Sequence, residues 1–166
     1  MSRGYHIRGT VRDATKAQWI SEYFHSKYSA DSFSAVVVPD MAAPNAFDHV
    51  MDGVSAIVHT ASDLSFSPDP NKVIPPTVEG VRNVLAAAAA HPNIKRFVYT
   101  SSSTACASPA PDTKRHIDAN TWNDWAVEQA WKEPFKQEHF YTVYGASKCA
   151  AEREGKPLTC ISVTPD

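Results

Sequence analysis

Tyr144 and Lys148 stand four residues apart, and on a helix that spacing sets both side chains on one face. An unperturbed tyrosine keeps its proton until a pH near ~10, so it exchanges protons at neutral pH only with help. An ammonium one turn away gives that help by favouring the phenolate. The spacing alone is weak, since six tyrosines and nine lysines in 166 residues give about 0.3 such pairs by chance. Tyr23 and Lys27 share it. Order separates the two pairs. Tyr144 follows Ser102, in the run Thr100-Ser-Ser-Ser-Thr104, by 42 residues, whereas Tyr23 sits on an early helix where a ring is expected to pack beneath a sheet. A third group, Gly9-Thr-Val-Arg12 followed by Lys16, puts two cations at the end of the first strand-like run.

Bringing these groups together takes strands whose ends lie side by side. Short apolar runs occupy Tyr5 to Arg12, Ser34 to Pro39, Ser55 to Thr60, Arg96 to Ser101 and Leu158 to Thr164. The middle runs are continuously apolar, as strands covered by helices on both faces should be. Helical patterns fall between them, over Thr15 to Tyr28, Asn45 to Asp52, Pro76 to Ala90 and Tyr144 to Glu154, with a partly helical stretch over Trp122 to Phe140. Gly53 and Gly155 are placed to end two of these helices. Alternation of strand and helix predicts an α/β chain with a parallel sheet, in a single domain over residues 1–166.

Composition excludes several classes. A net charge of −2 argues against a nucleic-acid surface, and the longest apolar run, Val84 to Ala90, is too short to span a membrane. Cys106, Cys149 and Cys160 are odd in number and widely spaced, so they read as reduced thiols and predict a cytoplasmic protein. The seven histidines show no metal-binding spacing, and no metal is expected.

In this order the motifs resemble the extended short-chain dehydrogenase/reductases of the NAD-dependent epimerase/dehydratase superfamily. Within them the chain is similar to the dihydroflavonol-reductase branch and its fungal aldehyde and ketone reductases. The likeness rests on Gly4-Tyr-His-Ile-Arg-Gly-Thr-Val-Arg12, Val38-Pro-Asp-Met41, Val58-His-Thr-Ala-Ser62, Phe97-Val-Tyr-Thr-Ser-Ser102 and Tyr144-Gly-Ala-Ser-Lys148. It implies a Rossmann-type fold and NADPH-dependent reduction of a small carbonyl compound to an alcohol. Ser102, with Ser103 its neighbouring alternative, would polarise the carbonyl. Tyr144 would give the proton, and Lys148 would lower the tyrosine pKa and bind the nicotinamide ribose.

The resemblance further assigns Arg12 and Lys16 to the 2′-phosphate of NADP, by the match of their donors to phosphate oxygens. Asp13 beside them keeps NAD in view as the lesser alternative. Asp40 and Met41 would meet the adenine edge. Thr60, Ala61 and Ser62 would run along the cofactor, with Pro165 near the nicotinamide. His59 resembles a packed residue of the family.

The chain also departs from that pattern. Its six glycines, at 4, 9, 53, 80, 145 and 155, make no Gly-x-x-Gly-x-x-Gly turn, so the likeness begins at the family's second strand. In the usual strand order 3-2-1-4-5-6 this leaves strands two and four unbridged. The sequence stops near the point where the substrate-binding region would begin. The expectation is therefore an incomplete reductase, with two rivals: a catalytically inactive remnant or interaction module, and an NAD-dependent epimerase or hydroxysteroid dehydrogenase.

Overall fold

The computed structural model describes residue 1 and residues 3–155, and the expected strand over Leu158 to Thr164, like Pro165, lies outside them. Four strands form, β1 (Ile7–Val11), β2 (Phe33–Val37), β3 (Ala56–His59) and β4 (Arg96–Tyr99). Four helices accompany them, α1 (Ala14–Lys27), α2 (Pro70–Ala89), α3 (Asp124–Ala130) and α4 (Phe140–Gly155). β1 pairs in parallel with β2, Ile7 opposite Phe33, and β3 pairs in parallel with β4, Ala56 opposite Arg96. Among the described residues no ladder joins β1 to β3, so the sheet stands as two halves. These are the strands expected to be left unbridged.

Alternation along β2 places Phe33 against α1, where it meets Phe24 with ring centroids 4.5 Å apart. Val36 turns the other way, into a core of Val38, Phe47, Val50, Met51, Val84 and Ala87 that Ile57 and Phe97 join from the second half. One core thus ties the two half-sheets together beneath the gap. Helices lie on both faces of the sheet as a whole, as a Rossmann-type α/β fold requires. The finer expectation, that each middle strand is covered on both faces, fails for β3 and β4. Val58 is 65% exposed and Val98 46% exposed, because α2 and α4 cover only the opposite face.

Local chemistry explains the other departures. Asp69 caps α2 by accepting from the Asn71 amide, and Pro70 takes the first turn, so the helix starts six residues before the expected Pro76. Pro75 and Pro76 then lie inside it, and the carbonyls they leave unpaired belong to exposed Asn71 and Lys72, where water serves them. The expected helix over Asn45 to Asp52 shrinks to a 3-10 turn, Asp48–Val50, with Gly53 left-handed at φ 74° after it. α4 begins at Phe140 instead of Tyr144, because a 3-10 turn at Gln137–His139 leads into it. α1 buries none of its residues, and Tyr23 is 44% exposed rather than packed beneath the sheet. No described helix is long and apolar enough to cross a membrane.

Candidate active site

The ends of β1, β2 and β3 open into one cleft of about 390 Å³. Arg12, Asp40, Met41, Ala61 and Ser62 line it, together with His59, Phe47 and Pro76. Five predicted cofactor residues, from three separate segments, therefore share one cavity. Lys16 lies in the first turn of α1 and Thr60 just past β3, both exposed and neither lining the cleft.

Several details shape this cleft. The Asp13 carboxylate caps α1 by accepting from the Lys16 amide at 2.8 Å. Asp40 turns its carboxylate onto the Ala42 amide at 2.8 Å, which bends the chain and sets Met41 inward. There Met41 packs on Gly80 of α2 so closely that a Cβ on Gly80 would stand 2.9 Å from the Met41 Cγ. Asn83 of α2 donates to the carbonyls of Met41 and Ala43, at 3.0 and 2.9 Å, and fixes the same turn. Ser62 Oγ and His59 Nε2 are buried and have no hydrogen-bond partner among the described residues. Unpaired buried polar atoms beside a cavity are what a polar ligand would satisfy.

The second cluster assembles at the end of β4. Lys148 is 2% exposed and donates from Nζ to the Thr100 carbonyl at 2.9 Å, which pins α4 to the strand end. Ser102 caps a 3-10 turn at Ser103–Ala105, its Oγ accepting from the Thr104 amide at 3.3 Å and from the Thr104 hydroxyl at 2.9 Å. With both bonds accepted, the Ser102 proton is left to donate. Ser103 is exposed, and the Ser101 hydroxyl is engaged by Glu152. Gly145 lets α4 press onto this turn: a Cβ there would already touch the Thr104 carbonyl at 3.4 Å. Tyr144, one residue earlier, is half-buried beside it.

Burial holds Lys148 below the ordinary lysine range, with Glu152 opposing the shift. Burial, and then the Lys148 charge, push His59 down to about 4. Burial first, then Glu152 and Tyr144, raise Tyr99 above the ordinary tyrosine range.

Three features escaped the sequence reading. Phe66, at φ 52°, carries its ring to within 6.0 Å of Tyr144 and 5.7 Å of Phe140, and Tyr141 completes an aromatic wall around Tyr144. Asn123 caps α3 and donates to the Thr104 carbonyl at 2.8 Å, buttressing the serine turn. His59, expected as packing, also lends a polar atom to the cleft. The aromatic richness of Trp122 to Phe140 was the one available signal. The Tyr23 hydroxyl, by contrast, accepts from Lys27 at 2.7 Å on the open face of α1, far along the chain from the serine turn.

Comparison with known proteins adds a lineage to this geometry. A family model described as male sterility protein matches residues 42–155. An NAD-dependent epimerase/dehydratase of Aspergillus terreus is 42% identical over 91% of this chain and 45% of its own length. Aldehyde reductase 2 of Sporidiobolus salmonicolor is 36% identical over 92% of this chain and 45% of its own length. Among solved structures, the yeast methylglyoxal/isovaleraldehyde reductase Gre2 complexed with NADPH superposes with a TM-score of 0.75. It is 26% identical, over 95% of this chain and 46% of that one. The chain thus spans about half the length of the curated relatives it matches.

Proposed function

The chain belongs to the extended short-chain dehydrogenase/reductase family, and from that footing we propose that it carries the site of an NADPH-dependent oxidoreductase reducing a small aldehyde or ketone to an alcohol. The observation that supports the reading is the Lys148–Thr100 hydrogen bond, which joins the helix of Tyr144 and Lys148 to the strand end that precedes Ser102.

In this reading Ser102 donates its spare proton to the substrate carbonyl and polarises it. Tyr144 then gives its phenolic proton to the same oxygen as negative charge develops there. Lys148, in its ammonium form, favours the phenolate that remains. A reduced nicotinamide, when bound, supplies the hydride. The rings of Phe66, Phe140 and Tyr141 beside the phenol suit an apolar carbonyl compound.

The cleft residues fit the adenosine end of such a cofactor. Arg12 at the rim offers guanidinium donors to a 2′-phosphate, and Lys16 adds a second cation one turn along α1. Asp13 spends its carboxylate on the helix cap, which weakens the case for a free ribose hydroxyl there and hence for NAD. Asp40 and Met41 would bound the adenine, while Thr60, Ala61 and Ser62 would follow the chain of the cofactor. None of the six glycines lines the cleft, so these lining residues offer a pyrophosphate no glycine-turn cradle.

The test is turnover of an aromatic aldehyde at millimolar NADPH, with NADH in a parallel arm. NADPH-dependent alcohol formation that Tyr144→Phe abolishes is expected. Equal rates in the parent and Tyr144→Phe, or none in either, would overturn the reading.

A further inference from the structure

Tyr99 has no part in the reaction as proposed, yet its ring touches two groups at the centre of the site. It stacks on His59 with centroids 5.9 Å apart and planes 18° from parallel, and Lys148 Nζ lies 5.1 Å from its centroid. We propose that Tyr99 is the positioning residue for Lys148, its ring face and the Thr100 carbonyl together holding the buried ammonium seated and charged. The inference rests on Lys148 being the working lysine.

A buried ammonium loses its water, and one carbonyl satisfies only one of its three N–H groups. The negative face of an aromatic ring within about 6 Å supplies the missing attraction. The neighbours other than Glu152 leave this task to the ring. His59, from β3, faces Lys148 and is held neutral, so it neither repels nor compensates the ammonium charge. On α4 itself, Glu152 favours the ammonium but its carboxylate also accepts from Ser101, and Tyr144 faces Tyr99. α2 and α3 direct Arg82 and Asp124 to Glu154 and Arg153. Among the described residues the buried Tyr99 hydroxyl has no hydrogen-bond partner, so the attraction is supplied by the ring and not by the phenol.

The experiment reads the Lys148 titration directly, with no cofactor present. The chain is labelled with carbon-13 lysine, and the Lys148 signal is assigned by its loss in Lys148→Arg. Position 99 then carries tyrosine, phenylalanine, a series of increasingly fluorinated phenylalanines, and leucine. Fluorination keeps the ring's shape while draining its negative face. Tyrosine and phenylalanine should titrate together. Each fluorine should move the midpoint lower, and leucine should lie about one pH unit below tyrosine. A midpoint that ignores fluorination overturns the proposal even if the leucine variant fails to fold. Because catalysis is not read, an inactive Ser-Tyr-Lys site would leave this result untouched, and the two failures stay distinguishable.

Discussion

Lys148 donates to the carbonyl of Thr100 across 2.9 Å, and this one bond sets the register between a helix and a strand far apart in sequence. Its geometric effect reaches further than its two partners. Thr100 stands two residues before Ser102 and Lys148 one helical turn after Tyr144, so fixing the first pair brings the second to the same strand end. Gly145 completes the approach by leaving no Cβ between α4 and Thr104.

The same spacing in two environments makes a direct comparison of the two tyrosines. Tyr144 sits half-buried among the rings of Phe66 and Tyr141, while Tyr23 lies on the open face of α1 with Lys27 at 2.7 Å. Tyr144→Phe should lower kcat by roughly 10²- to 10⁴-fold, the usual worth of a positioned general acid. Tyr23→Phe should leave kcat within error of the parent. Steady-state kinetics on an aromatic aldehyde separates the two, and equal losses would refute the assignment.

Legibility followed the range of the interactions. β1 to β4 were readable to within two or three residues because their apolar runs are local. Arg12, Asp40 and Ser62 come to one cleft because each lies within three residues past a strand end, and parallel strand ends converge by topology. The start of α2 was misplaced because Pro76 offers the same first-turn signal as Pro70, and only the Asp69 cap decides between them. The aromatic wall was invisible: Phe66, Phe140 and Tyr141 come from two segments with no shared spacing, and Phe66 needs a left-handed backbone that no motif announces. The bare face of Val58 and Val98 was missed because a continuously apolar strand reads the same whether one face or both are covered.

Arg12 should discriminate between the two nicotinamide cofactors. Its guanidinium lines the cleft while the neighbouring Asp13 carboxylate is held by the Lys16 amide. Arg12→Glu places a carboxylate where the 2′-phosphate would lie, and like charges repel. The Michaelis constant for NADPH should rise at least tenfold, with little change for NADH. A parallel rise for both cofactors would place Arg12 away from the phosphate.

Gly80 links helix packing to the Met41 side of the cleft, where the proposed adenine contact lies. A Cβ there would stand 2.9 Å from Met41 Cγ and 3.0 Å from its sulfur, so Gly80→Ala must push Met41 aside. Alanine also gains about 1 kcal/mol of helix propensity over glycine, which offsets the clash. The expected outcome is a Tm within a few degrees of the parent and several-fold weaker NADPH binding by fluorescence titration. A large fall in Tm with unchanged binding would mean that the clash is borne by the core.

His59 should make the fold acid-sensitive over a defined window. It is 5% exposed, stacked on Tyr99, and pushed down to about 4 from an unfolded value of 6.5, by burial first and by Lys148 second. The folded state therefore keeps His59 neutral, while the unfolded chain takes up a proton as pH falls through 6.5. Between those two values the unfolded state binds more protons, so stability declines as the solution is acidified and the decline levels off below about 4. The whole effect amounts to about 3 kcal/mol at most, since each pKa unit is worth about 1.4 kcal/mol. His59→Phe keeps a flat ring against Tyr99 and Phe97 but cannot take up the proton. Urea unfolding of both chains at neutral pH and near pH 4.5 isolates the histidine from the carboxylates, which titrate alike in each. The parent should lose roughly 2 kcal/mol more than the variant over that interval. Identical losses would mean that His59 is solvated in the folded protein and carries no proton linkage.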